Sequence, residues 1–473
     1  MPMNRLFALV VLLGFTMVTG CGGSSNPVVP PSTQSSQVSL TMIDAPPAGV
    51  TVLSFEVNVT GATLSPGAVD LLAGRGPIQI EVKRLEVETA FLSTANVAPN
   101  SYTSLNLTFA NPQLTFRNDS NPPQMIAGCA PGTVCEFKPT GTLTTTVNIS
   151  PALTIAASNP IGLRVDLKLD NILSNALGVD FSQPGNVTVA QLSIAGLPAG
   201  ELDEVDEAFG KVANKSTNTF DLQTSQGILT GIQSDSNTTF DGFICAPVNF
   251  ATCVQNSQIV QVDLKLMAGG VLLARKIEQE NEGANEEDLE GIVTSVNAVT
   301  STFQMVVAEN LSMLSGVHVG SPVNVLVQPG AGFHVDQDGL TVNPALVSSF
   351  NGVNAMMLGQ NIQVRRQGGD GSVATPILTD RVRLRMSRFT AKVQSIVDAN
   401  TFTVDNLPPI FGGASPPIAS ITVSTDPART RFEGVSSVAV LGVPPNADTV
   451  SLRGLLFQQP TGPTLVAKKV RKR

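Results

Sequence analysis

The sequence predicts an all-β protein, with an N-terminal β-sandwich followed by three repeated small β-barrel or sandwich domains. The first observation is composition, because 41 Gly, 32 Pro and only 14% charged residues are typical of short strands joined by turns. The second is a hairpin pattern that recurs three times in the second half of the chain. The third is length, since 473 residues suggest three or four domains at roughly 150 residues each.

Residues 1–20 are typical of a secretory signal peptide. A single basic residue, Arg5, precedes an apolar run from Leu6 to Val18, which is too short for a comfortable membrane span. We therefore expect this segment to direct export and to be absent from the mature protein.

The end of the signal peptide, Val18-Thr19-Gly20-Cys21, resembles the lipobox of bacterial lipoproteins. That family usually has Leu and then Ala or Ser where this chain has Val18 and Thr19. The resemblance implies cleavage before Cys21 and attachment of diacylglycerol, with acyl chains such as palmitate. Two or three chains anchor a protein stably, because each buried methylene contributes roughly 0.8 kcal/mol. The alternative is ordinary secretion with an incidental Cys21.

Residues 21–37 are predicted to be the lipidated cysteine and a flexible tether rich in Gly, Ser and Pro. At about 3 Å per residue the tether can reach tens of Å from the bilayer. Gly22 follows Cys21 where an Asp would be the alternative, and in lipoproteins this implies sorting to an outer membrane if the cell has one. We expect the membrane to be a partner through this anchor, on the periplasmic or extracellular face.

Residues 38–200 are predicted to form the N-terminal sandwich. The segment 38–64, VSLTMIDAPPAGVTVLSFEVNVTGATL, alternates apolar positions on both sides of an Asp-Ala-Pro-Pro turn. Further strands are predicted in ANVAPNSYTSLNLTF, TLTTTVNIS, GLRVDLKLD and NVTVAQLSI. Several alternating strands separated by turn residues are typical of a sandwich.

Three later units, which we place at 204–282, 289–386 and 387–473, share two hairpins. The first hairpin starts with a small residue, one intervening residue and Val, and reaches a Thr-Phe pair 10, 12 or 11 positions later, as in GKVANKSTNTF, GIVTSVNAVTSTF and AKVQSIVDANTF. The second hairpin closes each unit, at 260–278, 362–386 and 450–473. A sheet this small must close or pair with a second sheet to bury its apolar face.

Two sets of phenylalanines mark the register of the units. Phe220, Phe303 and Phe402 open the second strand and are predicted to point into the cores; the alternative is that they are exposed platforms for a ligand. A second set lies 20 or 30 positions later, at Phe240, Phe333 and Phe432. The shorter interval in the first unit predicts that this unit is shortened there.

Two short motifs extend the resemblance to known proteins. Asp44-Ala45-Pro46 ends a predicted strand, and Pro99-Asn100-Ser101-Tyr102 forms a turn before another. With the lipobox, the tether and the repeats, this order is similar to that of uncharacterised bacterial surface lipoproteins. Those carry an N-terminal domain of unknown function with an Asp-Ala-Pro opening, followed by copies of a second domain of unknown function. Their usual turn is Pro-Ala-Gly-x-Tyr. The resemblance implies no catalytic residue.

Four cysteines of the mature chain besides Cys21 form two close pairs. In an oxidising compartment we predict local disulfides, which join Cys129 to Cys135 and Cys245 to Cys253. Metal binding or redox chemistry is the alternative, but neither pair has CxxC spacing or a neighbouring histidine.

Motifs for catalysis and metal binding are scarce in this chain. Its two histidines, His318 and His334, have no G-x-S-x-G elbow upstream to supply a nucleophile. Asp336 and Asp338 lie beside His334, which leaves metal binding open as an alternative. We predict no catalytic residue, no metal site and no cofactor.

Charged residues follow two patterns. Acidic runs at 201–207 and 278–290 are predicted to be solvated linkers, with a Ca²⁺ site as the alternative. Basic residues recur at the end of each unit, where they either face the acidic linkers or bind a polyanion; they lie at 275–276, 381–385 and 468–473. The net charge of −9 gives no broad electrostatic reason to bind nucleic acid.

We interpret the sequence as that of a non-enzymatic envelope or surface binding module whose partner is a protein or an envelope polymer. One alternative is a secreted or anchored hydrolase with a site in the N-terminal domain around Asp44, which requires a pocket with a shifted carboxyl pKa. Another is a purely structural envelope spacer. The absence of Trp and the single Tyr102 argue against sugar stacking on aromatic rings but not against polar recognition of sugars.

Overall fold

A computed structural model describes residues 36–45, 50–157, 161–174, 176–192, 201–224, 227–267, 270–280, 287–310 and 316–473. Over these ranges the protein is nearly all β, which confirms the predicted fold class. The signal peptide, Cys21, most of the tether and the turn after Asp44-Ala45 lie outside the described residues.

Among the described residues of the N-terminal region there are twelve strands and one short helix. The strands are β1 Ser36–Ala45, β2 Thr51–Ser65, β3 Val69–Asp70, β4 Ile78–Glu81, β5 Ala90–Val97, β6 Asn100–Arg117, β7 Val134–Phe137, β8 Gly141–Thr142, β9 Thr144–Ile155, β10 Ile161–Lys168, β11 Val179–Asp180 and β12 Val187–Leu192. The helix α1 spans Leu169–Ile172, and a 3₁₀ turn spans Val82–Glu86.

Two main sheets enclose the N-terminal core. One has the order β12-β10-β1-β5, and the other has β3-β2-β6-β7 with β4 beside β2 and β9 beside β6. Alternate residues of each sheet point inward, so Phe55 and Val57 of β2 meet Leu163 and Val165 of β10 in one buried cluster. This arrangement is the sandwich-like unit that the alternating pattern predicts.

The other sixteen strands that the structure describes belong to the three repeats. The first has β13 Glu201–Ala213, β14 Thr219–Thr224, β15 Gly227–Gln233, β16 Thr239–Asp241, β17 Ile259–Met267 and β18 Leu272–Gln279. The second has β19 Asp288–Asn297, β20 Thr302–Asn310, β21 Pro322–Val335, β22 Asn361–Gly368 and β23 Ile377–Ile396. The third adds β24 Thr401–Asp405, β25 Ile421–Thr425, β26 Arg431–Glu433, β27 Thr449–Phe457 and β28 Thr464–Lys472.

Helical segments in the repeats are short. Two α-helices are described there, α2 Phe250–Cys253 in the first repeat and α3 Pro344–Ser349 in the second. Side-chain oxygens of Asn249 and Asn343 cap their N-termini. Further 3₁₀ turns span Val353–Ala355, Pro409–Gly413 and Val438–Val440.

Each repeat is a Greek-key sheet that curls on itself. In the second repeat β19, β20 and β21 form a meander, β22 returns beside β19, and β23 pairs antiparallel with β22 and parallel with β21. The other two repeats have the same pairings, although β15 and β18 of the first meet at one residue pair only. This strand order is that of the partly open, five-stranded OB-fold.

Strand β23 is shared by two repeats. Its first half, to about residue 386, is the last strand of the second repeat, and its second half pairs with β24 and β27 of the third. The boundary that we expect at 386 and 387 therefore falls inside one continuous strand of twenty residues. No loop separates these two sheets.

The landmark residues of the repeats have clear structural roles. Phe220, Phe303 and Phe402 are at most 3% exposed, which confirms that they are core residues. The second set of phenylalanines lies opposite the last strand of each repeat, in the pairs Phe240 with Ile277, Phe333 with Val382 and Phe432 with Val470.

The small residue of the first hairpin allows two strands to approach closely. A Cβ atom placed on Gly210 would lie 2.4 Å from the carbonyl oxygen of Gln223, and one on Gly291 would lie 2.4 Å from that of Val306. Any side chain at these positions would force the second strand of the repeat away from the first.

Candidate functional site

The two predicted cysteine pairs lie close together in the structure. Cys129 lies before β7 and Cys135 lies within it, and their Cα atoms are 5.9 Å apart. Cys245 follows β16 and Cys253 ends α2, and their Cα atoms are 5.4 Å apart. The Sγ atoms of each pair lie within bonding distance, which is compatible with the two predicted disulfides. Cys21 lies outside the described residues.

The two histidines are not brought together with acidic residues. His318 Nδ1 hydrogen-bonds with Ser321 Oγ, and the imidazole of His334 lies against Gly332. The nearby Asp336 and Asp338 form ion pairs with cations instead. Among the described residues, no three His, Cys, Asp or Glu side chains are placed to hold a metal ion. Within the same ranges no helix has the length and apolarity to cross a bilayer.

The basic strand β23 packs against the acidic segment between the first two repeats. Arg385 is 3% exposed and has Nη2 3.2 Å from Oε1 of Glu280 and Nε 3.4 Å from Oε2 of Glu290. It also bonds to Gln261 of the first repeat and Asp336 of the second. One guanidinium therefore holds groups from both repeats.

The expectation of a solvated linker at 278–290 is wrong for four of its carboxylates, since each is at most 7% exposed: Glu278, Glu280, Asp288 and Glu290. Their burial is possible because alternate residues of β23 present cations on one face. Arg381 Nη2 lies 3.2 Å from Oδ2 of Asp288, and Arg383 Nη1 lies 3.8 Å from Oε2 of Glu280. The other acidic run, 201–207, is part of β13 and is no linker either.

A continuous chain of charge contacts connects all four parts of the molecule. Lys276 of the first repeat has Nζ 2.8 Å from Oδ1 of Asp338 in the second. Arg453 of the third repeat lies 3.8 Å from Oδ2 of Asp338 and 4.0 Å from Oε1 of Glu88 in the N-terminal region. We call these four residues the ion chain. Arg453 is 2% exposed, so its charge depends on these partners.

The C-terminal basic strand faces acidic groups of the protein itself. Glu433 accepts a hydrogen bond from Arg471 Nε at 2.9 Å. Its carboxylate also lies 3.3 Å from Lys469 Nζ and 3.4 Å from Nη1 of Arg164, a residue of β10. Burial opposes ionisation, but these three cations lower the pKa of Glu433 to about 2. Lys469 and Arg471 are each 3% exposed, so they are not available to an external polyanion.

A polar cleft of about 240 Å³ lies on the outer face of the larger N-terminal sheet. Its floor is formed by three adjacent strands, with β2 between β4 and β6. We call this depression the polar cleft. The residues that line it are Glu56, Asn58, Gln79, Asn111, Pro112, Gln113 and Lys138.

Strand pairing explains why these side chains converge. In β2 the core residues Phe55 and Val57 alternate with Glu56 and Asn58, which therefore point to the opposite face. Asn58 lies opposite Gln79 on β4, while Glu56 lies opposite Gln113 on β6. Two residues of β6, Asn111 and Pro112, oppose one residue of β2, and this β-bulge forms one wall.

Glu56 has an unusual environment for a carboxyl group. It is 7% exposed, and within the described chain it accepts one hydrogen bond, from Nε2 of Gln79 to Oε1 at 2.8 Å. Burial and the neighbouring charge of Glu81 raise the pKa of Glu56 to about 7, with the Gln79 bond acting in the opposite direction. The group therefore exchanges its proton near neutral pH.

Glu81 is a second buried carboxyl group beside the cleft, and its hydrogen bonds stabilise the local backbone. It caps the 3₁₀ turn and accepts hydrogen bonds from the backbone N–H groups of Phe55, Lys83 and Arg84, at 2.7, 3.3 and 2.8 Å. Burial still raises its pKa, although these bonds favour the charged form. The carboxylate of Glu81 is therefore occupied by backbone N–H donors, whereas that of Glu56 faces the cleft.

The sequence did not single out the polar cleft. We placed the rival hydrolase site around Asp44, but Asp44 is in β1, which belongs to the smaller sheet and pairs with β10 and β5. The visible signal was the polar pair Glu56 and Asn58, which interrupts the apolar positions of β2. Without the pairing of β2 with β4 and β6, that signal is the ordinary solvent face of a strand.

Comparisons with known proteins cover part of the chain. Residues 210–278 are similar to a family described as a domain of unknown function, DUF5666, and this span corresponds to most of the first repeat. No curated protein matches the chain. A solved structure described as drosophila Unr CSD456 is similar over 56% of this chain and 97% of its own, at 9% identity with a TM-score of 0.13.

Proposed function

We propose that this protein is a lipid-anchored bacterial envelope protein that acts as a non-enzymatic binding module. The observation that carries the proposal is the polar cleft, a concave polar surface on a body whose four parts are joined by buried ion pairs. A pure spacer has no need for converging amide and carboxyl groups in a cleft. A binding module needs such groups on a rigid support.

The proposed anchor is the diacylated thiol of Cys21. The proposed tether is the Gly-, Ser- and Pro-rich segment that follows Cys21, and the first described strand, β1, begins at Ser36. The anchored body lies on the periplasmic or extracellular face, and on the outer membrane where the cell has one. Its partner is an envelope polymer or a protein of the same compartment.

A second candidate function is hydrolysis at the same cleft. The observation that favours it is Glu56, because a carboxyl with a pKa of about 7 can act as a general acid near neutral pH. In that case the site of the hydrolase is at Glu56 and not around Asp44. Incubation of the protein with a polymer and analysis of the products distinguish the two functions, since a binding module returns the polymer intact.

Mass spectrometry and fractionation test the anchor. We expect the intact mass of the wild-type protein to correspond to a chain that starts at a diacylated Cys21 and sediments with membranes. The Cys21→Ala variant is expected in the soluble fraction, whereas Ser25→Ala, a matched change in the tether, stays with the membrane. A soluble, unmodified wild-type chain would remove the lipoprotein premise.

A further inference from the structure

We propose that the polar cleft binds one uncharged, hydroxyl-rich sugar unit of an envelope glycan. This inference rests on the proposed function, because it names the ligand of the same binding module. It concerns the chemistry of the lining side chains, which is independent of how the protein is anchored.

Four of the seven residues that line the cleft have side-chain amides. Asn58, Gln79, Asn111 and Gln113 each offer an NH₂ donor and a carbonyl acceptor. A sugar hydroxyl is also both donor and acceptor, so every hydroxyl that enters can be paired with an amide in either direction. A ligand of fixed charge would use only half of this capacity.

The amides are spaced for one ring. Residues directly opposite each other on neighbouring strands have Cβ atoms about 4.5–5.5 Å apart, and the pairs Asn58 with Gln79 and Glu56 with Gln113 are of this kind. Four polar side chains thus reach into an area about three strands wide. Hydroxyl groups distributed around a single sugar ring can meet them together.

Glu56 adds a group that changes between acceptor and donor. Its Oε1 accepts a hydrogen bond from Nε2 of Gln79, and the residue is 7% exposed. When protonated, Glu56 donates to a ligand oxygen without adding a charge to the cleft. The small exposed part of this carboxyl faces the cleft, so a ligand there can contact it directly.

The size of the cleft fits a small group within a longer chain. Its volume of about 240 Å³ is below the roughly 300–1,000 Å³ of pockets that enclose drug-sized ligands. One sugar ring fills such a space, while the rest of a polymer extends over the exposed strands. Because Trp is absent and Tyr102 is 1% exposed, recognition depends on hydrogen bonds and on Pro112 for apolar contact.

The test is a titration of the full mature protein in detergent, followed by calorimetry and ligand-observed NMR. The probes are maltotriose and N,N′-diacetylchitobiose, which are neutral, and trigalacturonate, which is anionic. We expect a neutral probe to bind and trigalacturonate to bind more weakly. Asn58→Ala and Gln113→Ala should each weaken binding about fivefold, as expected for loss of one neutral hydrogen bond.

The control is Asn148→Ala, which removes an exposed amide on β9 of the same sheet, outside the cleft. It should leave the affinity unchanged. Circular dichroism and the unfolding midpoint report whether each variant is folded, and Gln113 is exposed, so its truncation leaves the core intact.

Three results would overturn the proposal. The first is that neither neutral probe binds at millimolar concentration. The second is that binding persists unchanged in the Asn58→Ala and Gln113→Ala variants. The third is that trigalacturonate binds better than the neutral probes and loses this advantage in Lys138→Ala, which would define a site for anionic ligands. Failure of the proposed function is a separate result, because an unanchored protein or a cleaved probe can accompany normal sugar binding in the cleft.

Discussion

Glu56 lines the polar cleft, but its ionised form destabilises the folded protein. Burial and the charge of Glu81 hold its pKa near 7, whereas an unfolded carboxyl titrates near 4.5. The folded protein therefore binds one more proton than the unfolded chain between these two pH values. The stability that the protonated group provides is fully present below pH 4.5 and is lost as the pH rises through 7.

Replacing Glu56 by Gln should remove this pH dependence. Gln is neutral at every pH, so at pH 8 the free energy of unfolding should exceed that of wild type by up to about 3 kcal/mol, at about 1.4 kcal/mol per pKa unit. At pH 4 the two proteins should differ little. Urea denaturation at both pH values measures the difference, with Glu136→Gln, an exposed carboxyl on β7, as the control. An equal effect of Glu56→Gln at pH 4 and pH 8 would contradict the prediction.

At the scale of elements, the repeat depends on a close contact between its first two strands. In the second repeat this contact is made at Gly291, where a Cβ atom would lie 2.4 Å from the carbonyl oxygen of Val306. Backbone atoms cannot move aside as a flexible side chain can. Glycine is therefore required here in the first two repeats, whereas the third repeat has Ala391 at the matching position.

Gly291→Val should destabilise the protein by about 1–3 kcal/mol, because the added side chain forces β19 and β20 apart. Thermal unfolding measures the loss. Gly352→Val is the control, since a Cβ atom there meets no other atom within 4 Å and the backbone φ of 177° is open to any residue. Similar losses for both variants would show that valine itself, not the close contact, is responsible.

The elements that sequence could predict are those with local causes. The Thr-Phe hairpins and the closing hairpins follow from alternation and turn residues within about 25 positions, and they lie where the pattern indicates. The Greek-key closure was not predictable in the same way. The parallel pairing of β21 with β23 joins Phe333 to Val382, which no local pattern connects.

The candidate site illustrates the same limit. Glu56 and Gln79 are 23 positions apart and meet only because β2 and β4 are paired, and the wall at Asn111 depends on a bulge in β6. The acidic run at 278–290 is a second feature whose environment could not be predicted from the sequence. As sequence it was typical of a solvated linker, but the cations of β23 make a buried interface of it.

For the whole molecule, buried charges determine how the parts fit together. A buried ion pair is weak support for stability compared with apolar packing of the same volume, but it tolerates few alternative arrangements. Lys276, Asp338, Arg453 and Glu88 come from four different parts of the chain, and their opposite charges lie within 4.0 Å of one another in sequence along the ion chain. Together with the shared strand β23, they hold the repeats and the N-terminal sheets in one orientation.

Arg453→Met should weaken the contact between the N-terminal region and the repeats, which Arg388 with Glu88 and Arg164 with Glu433 also maintain. The substitution preserves much of the volume but leaves Asp338 and Glu88 with one cation fewer. Because Lys276 still faces Asp338 and Arg388 still faces Glu88, the loss should cost about 1–3 kcal/mol of stability. We expect calorimetry to show one unfolding transition for wild type and two for the variant. Amide hydrogen exchange should increase in residues 82–88 and 336–338, at the two ends of the broken contact.

Lys472→Met provides the matched comparison for that experiment. Lys472 Nζ lies 2.8 Å from Oδ1 of Asp448, but the lysine side chain is 39% exposed, so its loss should cost less than about 1 kcal/mol and leave a single transition. If Arg453→Met also unfolds in one step with unchanged exchange at 82–88, the ion chain does not couple the parts. The shared strand and the apolar contacts would then suffice to hold them together. The different results expected for the two cations follow from burial and from position, because Arg453 contacts two other parts of the molecule whereas Lys472 pairs within the third repeat.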